Sequence, residues 1–278
     1  MLRAVSALLL LVVAAACGSS APVQSVPYPK AERPAREPIP KPAPKPPSCE
    51  QRIQRAKAKP EPEAELAAYK AACDANCAEG CRLLGLMYAE RRGVAGDYEA
   101  AKQGYESSCE LGDGDGCAEL GDLTLERAGN AKGAAHQYSL GCDLKSGVAC
   151  AKLAYLYKIG RGAELDPTKA LELYEHGCSL GGSLGCSGAA RMLEQSPPDA
   201  EHVKALDKRA LELNNSRCNA GDARHCHQLG DAYLDGHGVA KDVKRALELY
   251  RIACQSGDKH ACEAAKGVVA GASSQGSR

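Results

Sequence analysis

The sequence predicts an all-α protein built as a solenoid of stacked helical hairpins. Cysteines recur in pairs eight residues apart, and the pairs start 36, 33, 36, 40 and 36 residues from one another. Within each period, apolar residues follow the three-and-four spacing of helices that are buried on one side. A period of this length indicates an array of repeated units rather than one closed core. The pairs are Cys73 and Cys81, Cys109 and Cys117, Cys142 and Cys150, Cys178 and Cys186, Cys218 and Cys226, and Cys254 and Cys262.

The composition limits the classes of function. The chain has 278 residues with 35 basic and 35 acidic side chains, so its formal net charge is zero. Neither a basic stripe for nucleic acid nor an acidic tail is present. The chain contains no Phe and no Trp. Because a core of Ala, Leu, Gly and Tyr buries little area per residue, the fifteen cysteines are expected to add stability as disulfides.

Residues 1–16 are predicted to be a signal peptide. Arg3 precedes an apolar run, residues 4–13, that is too short to remain as a membrane span. The run ends in Ala-Ala-Ala-Cys, which resembles the lipobox of bacterial lipoproteins and predicts lipidation of Cys17, although Ala14 stands where Leu is usual. By the same resemblance, Gly18 favours the outer membrane. Cleavage without lipidation is the alternative.

Residues 17–48 form a predicted linker. Ten of the fifteen prolines of the chain lie here, mixed with Lys, Arg and Glu. This composition favours an extended polyproline II spacer, about 90 Å long at ~3.1 Å per residue, between the lipid anchor and the repeats. A ligand for a proline-binding domain is the alternative.

The repeats are predicted to occupy residues 49–270. Cys49 and Cys77 lie outside the regular pairs, in a half-regular first hairpin. Because an antiparallel hairpin returns its end to its beginning, we predict a disulfide between them. With Cys17 lipidated, the other fourteen cysteines are then all paired. An apolar segment, 264–269, is predicted to cap the last repeat, and residues 271–278 are predicted to be a flexible tail.

Residues 226–262 are the clearest copy of the repeat. Leu229 and Tyr233 share the buried face of a first helix, and a Gly-His-Gly turn follows. Asp242 is the expected N-cap of the second helix. Tyrosine recurs four residues before the first cysteine of a pair, except at Asn214: Tyr69, Tyr105, Tyr138, Tyr174 and Tyr250. A small residue recurs four residues after the second cysteine: Gly85, Gly121, Ala154, Ala190 and Gly230.

These residues resemble the Sel-one-like repeat, a relative of the tetratricopeptide repeat, and the match is best at residues 153–174 and 229–250. The cysteine pair in each repeat is similar to the subgroup typified by the Helicobacter cysteine-rich proteins. The resemblance implies a right-handed α/α solenoid of disulfide-locked hairpins. Its concave surface, lined mainly by the first helix of each unit, is implied to bind peptides or proteins. Repeats two and four depart from the pattern in their turns, at residues 126–129 and 195–198.

The same subgroup implies penicillin binding and a weak β-lactamase activity. A serine β-lactamase requires Ser-x-x-Lys together with Ser-Asp-Asn and Lys-Thr-Gly elements, because the lysine assists the serine nucleophile. The chain has one such pair, Ser256 and Lys259, in a loop between repeats, and neither companion motif. We therefore assign no catalytic residue, and a weak β-lactam hydrolase is the enzymatic alternative.

Two clusters raise the question of a metal site. Cys73, Cys77 and Cys81 recur at four-residue intervals, and His225 and His227 lie beside the fifth cysteine pair. Both clusters lack the paired short spacings of zinc fingers. In an exported chain these cysteines fit disulfides better. The sequence therefore predicts no metal and no cofactor.

The function predicted from the sequence is binding. We expect a monomeric scaffold, anchored by lipid to the outer membrane of a bacterial cell envelope and facing the periplasm or the exterior. Its predicted partner is a protein or peptide, with peptidoglycan-related peptides as one class, and not a nucleic acid. An envelope spacer, in which the linker and the repeats set a distance, is the alternative.

Overall fold

The computed structural model describes residues 47–59, 61–90, 95–194 and 200–275, with side chains as far as Ala270. Within these ranges the chain is all-α and has no strand, so the predicted fold class is confirmed. The predicted signal peptide, Cys17 and the linker up to residue 46 lie outside the described residues. The helices are α1 (Cys49–Lys57), α2 (Pro62–Asp74), α3 (Ala78–Glu90), α4 (Tyr98–Glu110), α5 (Gly114–Ala128), α6 (Ala131–Asp143), α7 (Gly147–Ile159), α8 (Pro167–Ser179), α9 (Ser183–Leu193), α10 (Ala200–Asn219), α11 (Ala223–Asp235), α12 (Val243–Gln255) and α13 (Lys259–Gln275).

The helices form hairpins that stack in chain order. Five regular hairpins run from α3–α4 to α11–α12, preceded by α1–α2 and followed by α13, and each helix packs on the next. Six disulfides join the second helix of one hairpin to the first helix of the following one, and a seventh joins Cys49 to Cys77. The six are Cys73–Cys81, Cys109–Cys117, Cys142–Cys150, Cys178–Cys186, Cys218–Cys226 and Cys254–Cys262.

The connections closed by these disulfides share one backbone form. The third residue after the first cysteine has positive φ in all six, and the residue after it precedes the next helix. Four of the six are glycines, which adopt this conformation without steric cost. The six are Asn76, Gly112, Lys145, Gly181, Gly221 and Gly257.

Inside the hairpins, tyrosines pack on glycines of the paired helix. A Cβ atom at Gly230 would lie 2.6 Å from the ring of Tyr250, so only glycine leaves room for the ring. The hairpins α3–α4 and α5–α6 contain the same contact. The α7–α8 hairpin differs: Ala154 takes the glycine position, and Tyr174, in one core cluster with Ala154, also packs on Gly188 of α9.

Helix ends follow the sequence signals. Asp242 accepts a hydrogen bond from the backbone N–H of Arg245 at 2.9 Å, as expected of an N-cap, and Asp166 caps α8 in the same way. At the end of the array, α13 continues to Gln275, past the predicted solenoid boundary at residue 270. None of the described helices is long and apolar enough to cross a membrane.

Candidate binding site on the first-helix surface

The odd-numbered helices form one face of the repeats, which we call the first-helix surface. α1 contacts α3, α3 contacts α5, α5 contacts α7, and α7 contacts α9. Among even-numbered helices in the described chain, only α2 and α4 make comparable contacts. Because the first helices from α1 to α9 approach one another more closely than the second helices do, they lie on the inner, concave side of the solenoid.

Polar side chains tie neighbouring helices of this surface together. Arg82 Nε on α3 lies 2.8 Å from a carboxylate oxygen of Asp113, the N-cap of α5. Lys152 Nζ on α7 lies 2.6 Å from Asp122 on α5. These pairs are one repeat apart, so they support the register of adjacent hairpins.

Two further contacts join helices that are several repeats apart. Arg224 on α11 forms an ion pair with Glu119 on α5, and Lys259 Nζ on α13 donates to the carbonyl oxygen of Glu90 on α3 at 3.2 Å. Glu119 raises the pKa of Arg224, which keeps the guanidinium charged. The surface therefore curves enough for helices three and five repeats apart to touch.

A pocket of about 370 Å³ opens on this surface where α5, α7 and α9 meet. Its apolar lining includes Leu125, Leu156, Leu184 and Tyr155, and Tyr155 is 52% exposed. The Tyr174 ring forms part of the wall. The pocket thus lies where the tyrosine of one hairpin packs on a glycine of the following helix.

One cation of the pocket is already neutralised. Lys152 Nζ lies 2.6 and 2.7 Å from the two carboxylate oxygens of Asp122, which also accepts a hydrogen bond from the hydroxyl of Tyr138 at 2.7 Å. Burial and the nearby carboxylate raise the pKa of Tyr138, so the phenol stays a donor. Asp122 therefore has partners of its own and does not repel an incoming anion as an unpaired carboxylate would.

Two other cations of the pocket form no direct ion pair with a carboxylate within the described residues, although the charge of Arg191 acts on Asp207. Lys158 is half-buried and Arg191 is exposed; the Nε atom of Arg191 donates to the carbonyl oxygen of Ser187 at 3.2 Å. Burial raises the pKa of Tyr174 to about 12, although the nearby Arg191 charge acts in the opposite direction. An apolar floor beside two unpaired cations suits a ligand that combines an apolar group with a carboxylate.

The residues singled out from the sequence lie elsewhere. Ser256 is exposed in the turn before α13, while Lys259 is directed to Glu90, so the pair is not arranged as a nucleophile and its helper. His225 and His227 each contact an aspartate, at 2.9 and 3.1 Å. The cysteines of both clusters are in disulfides.

Sequence reasoning missed the pocket, although the repeat alignment contains a signal for it. After the small residue of the first helix, α5 has Asp122 and α11 has Asp231, each accepting from a tyrosine hydroxyl at 2.7 Å. At this position α7 has Tyr155 and α9 has Arg191. The pocket therefore lies at the repeats in which an exposed aromatic or cationic side chain occupies the position of the hydrogen-bonded aspartate.

The Sel1 repeat model matches residues 78–113, 147–182 and 226–258, and repeats two and four, whose turns depart from the pattern, are not matched. A search of curated proteins gave no match. Helicobacter pylori cysteine rich protein B is 23% identical over 60% of this chain and 93% of its own, but the TM-score is 0.26, so it adds nothing on the fold.

Two solved structures share the architecture. A Sel1 repeat protein from Oxalobacter formigenes is 23% identical, with a TM-score of 0.52 over 75% of this chain and 88% of that protein. The immunity protein Pa5087 from Pseudomonas aeruginosa is 15% identical, with a TM-score of 0.52 over 77% of this chain and 84% of its own. Three repeats of this chain thus match the Sel1 repeat, and its stacked helical hairpins have the fold of these solved structures.

Proposed function

We propose that the chain is an exported scaffold that binds a peptide segment of a partner protein on its first-helix surface, with the pocket between α5, α7 and α9 as the anchor. The observation that carries this proposal is the combination of an apolar floor and two unpaired cations in one pocket. Sel1 repeat proteins are typically non-enzymatic scaffolds that bind other proteins.

The ligand we propose presents a carboxylate next to an apolar side chain. Lys158 and Arg191 supply the positive charge, and Tyr155 and Leu184 offer the apolar contact. The carboxylate belongs to an acidic side chain or to a peptide C-terminus. Disulfides that join successive helices keep the surface preorganised, which lowers the cost of binding.

A selection from a peptide library tests this proposal. The oxidised repeat unit, residues 46–278, is used to select peptides, and their affinities are measured by calorimetry. We expect the selected peptides to share an acidic group and to weaken at least tenfold when it is converted to an amide. Lys158→Ala and Arg191→Ala are expected to weaken binding by a similar factor, because each removes a charge-assisted contact.

Lys132→Ala provides the matched control, since Lys132 is an exposed cation on α6, a second helix. It is expected to leave the affinity unchanged. Selected peptides that bind equally well as amides, or that lose affinity in the control to the same extent, would show that the pocket is not the anchor.

Export and lipid anchoring are part of the proposal. The seven disulfides support an oxidising compartment, where such bonds persist. The proposed signal peptide, residues 1–16, and the lipidated Cys17 precede the described residues, and the linker would hold the repeats away from the outer membrane. We expect Cys17→Ser to move the protein from the membrane to the soluble fraction and to abolish labelling by palmitate. Labelling that survives the substitution would contradict this.

A further inference from the structure

Three side chains with metal-binding atoms meet at the junction of the fourth and fifth repeats, outside the pocket lining but near its Arg191. Glu194 is the C-cap of α9, Asp207 lies in α10, and His237 lies in the turn between α11 and α12. One ligand atom of each lies within 4.8 Å of the others, and His237 Nδ1 is 3.9 Å from Glu194 Oε1. Three separate elements thus supply one group of donors.

Asp207 is the unusual member of this group. Its side chain belongs to a residue that is only 8% exposed, yet it forms no hydrogen bond or ion pair within the described residues. A buried carboxylate without a partner is costly. Burial raises the pKa of Asp207; the charge of His237 acts against this, the charge of Glu194 adds to it, and the charge of Arg191 lowers it. The carboxylate lies close to the other two donors.

The backbone is built for this approach. Gly238 has a φ of +68°, and a Cβ atom at this position would lie 2.8 Å from Cβ of Asp207. Glycine therefore lets the turn lie directly against α10, and this brings the neighbouring His237 to the aspartate.

The neighbouring repeats supply an internal comparison. The turn between α7 and α8 contains the same Gly-x-Gly, and its second glycine, Gly162, likewise lies against the preceding second helix, at Ala131. By the repeat register, Leu125, Ala131 and Arg161 stand where Glu194, Asp207 and His237 stand. The backbone contact recurs, but the donors are present only at the later junction. The packing of the turn therefore does not require them.

We propose that Glu194, Asp207 and His237 form a binding site for a divalent transition-metal ion, with Zn²⁺ as the preferred ion. Two carboxylates and an imidazole are ligands that Zn²⁺ accepts, and the nitrogen donor disfavours Ca²⁺ and Mg²⁺. Three protein ligands leave a fourth position for water. Glu194 is exposed, so its side chain is free to rotate onto the ion.

Binding would link α9, α10 and the turn of the fifth repeat. This junction has no tyrosine to fill the hairpin, because Asn214 replaces it, and the Oδ1 atom of Asn214 is buried without a hydrogen bond. A metal ion bound only by the folded state stabilises that state by mass action. The ion would therefore stabilise the folded state by cross-linking a weakly packed junction.

The test uses the full chain, untagged, fully oxidised and stripped of metal by a chelator. Titration calorimetry with ZnCl₂ is expected to show one site per chain, with at least tenfold weaker binding of CaCl₂. Asp207→Asn and His237→Gln are each expected to weaken Zn²⁺ binding at least tenfold. His260→Gln, which changes an exposed histidine of α13, is expected to leave it unchanged.

Thermal unfolding tests Zn²⁺ binding independently of the affinities that are measured by calorimetry. Zn²⁺ is expected to raise the Tm of the unsubstituted chain and of the His260 control, and to leave the Tm of Asp207→Asn unchanged. That variant is expected to fold, because it removes a buried unpaired charge. Zn²⁺ binding that is absent, or that is equal in the Asp207 and His237 variants and in the unsubstituted chain, would overturn the proposal.

Discussion

At the residue scale, the turns between hairpins depend on one backbone conformation. The residue with positive φ is glycine in four of the six turns, but Lys145 occupies it with a φ of +68°. An L-residue in the left-handed region is strained by about 1–2 kcal/mol, whereas glycine is not. At this position the stability of the turn therefore depends on how easily the residue adopts positive φ, and less on the contacts of its side chain.

We expect Lys145→Gly to raise the free energy of unfolding by about 0.5–1 kcal/mol, because relief of strain exceeds the added flexibility of the unfolded chain. Gly221→Ala is expected to lower it by about 1 kcal/mol. A methyl group at Gly221 meets no atom within 4 Å, so the loss reports backbone strain alone. Denaturant unfolding measures both changes.

Gly267→Ala is the control for these substitutions. Gly267 lies inside α13, and a methyl group there also meets no atom within 4 Å. Because alanine favours helix, this change is expected to add up to about 1 kcal/mol. Destabilisation of similar size at Gly267 and Gly221 would show that the turn conformation is not the cause.

A second prediction concerns the charge of Asp222, the N-cap of α11. Burial raises its pKa, but the contact with His225 and the charges of His225 and Arg224 outweigh this and lower the pKa to about 2. The unfolded value is about 3.9. A lowered folded pKa gives stability that is present above the unfolded pKa and is lost as the pH falls through the folded pKa.

Asp222→Asn isolates that charge, because asparagine also caps helices. The free energy of unfolding of the variant is expected to fall below that of the unsubstituted chain above about pH 4. This difference should shrink as the pH falls from about 4 to about 2. A difference that is constant from pH 7 to pH 2 would assign the effect to the shape of the cap instead of its charge.

At the scale of the helices, the sequence predicted the helical hairpins, but it did not predict the contacts between hairpins that differ from one repeat to the next. The cysteine spacing, the Asp242 cap and the Gly-x-Gly turn are local signals, and the structure contains the helices and the disulfides that they predict. The contact of Tyr174 with Gly188 was not predicted. It depends on the position of one hairpin relative to the next, and the motif describes only a single hairpin.

The disulfides provide a prediction at the same scale. Replacing Cys142 and Cys150 together with alanine is expected to lower the free energy of unfolding by about 2–3 kcal/mol in the loop-entropy model. The pair Cys109 and Cys117 closes a loop of the same length, a separation of 8, and is expected to give a similar loss. Urea unfolding of both variants checks this. A loss below about 0.5 kcal/mol in both would show that these bonds do not constrain the unfolded chain.

At the scale of the whole repeat array, the curvature could not be predicted from the sequence. Arg224 and Glu119 are 105 residues apart, and the spacing of the motif contains no information about their meeting. The contact results from a small rotation added at each repeat. The same addition places Lys259 beside Glu90.

The contact between α5 and α11 is expected to hold this curvature. In a double-mutant cycle with Arg224→Ala and Glu119→Ala, we expect a coupling free energy of about 0.5–1 kcal/mol, because Arg224 is half exposed and water screens the pair. Each single variant should also increase the radius of gyration measured by small-angle scattering. The same cycle at Arg245 and Glu248, three residues apart on α12, is the control and is expected to leave the radius unchanged. Unchanged dimensions in all variants would show that packing within each repeat alone sets the curvature, and that the ion pair follows from it.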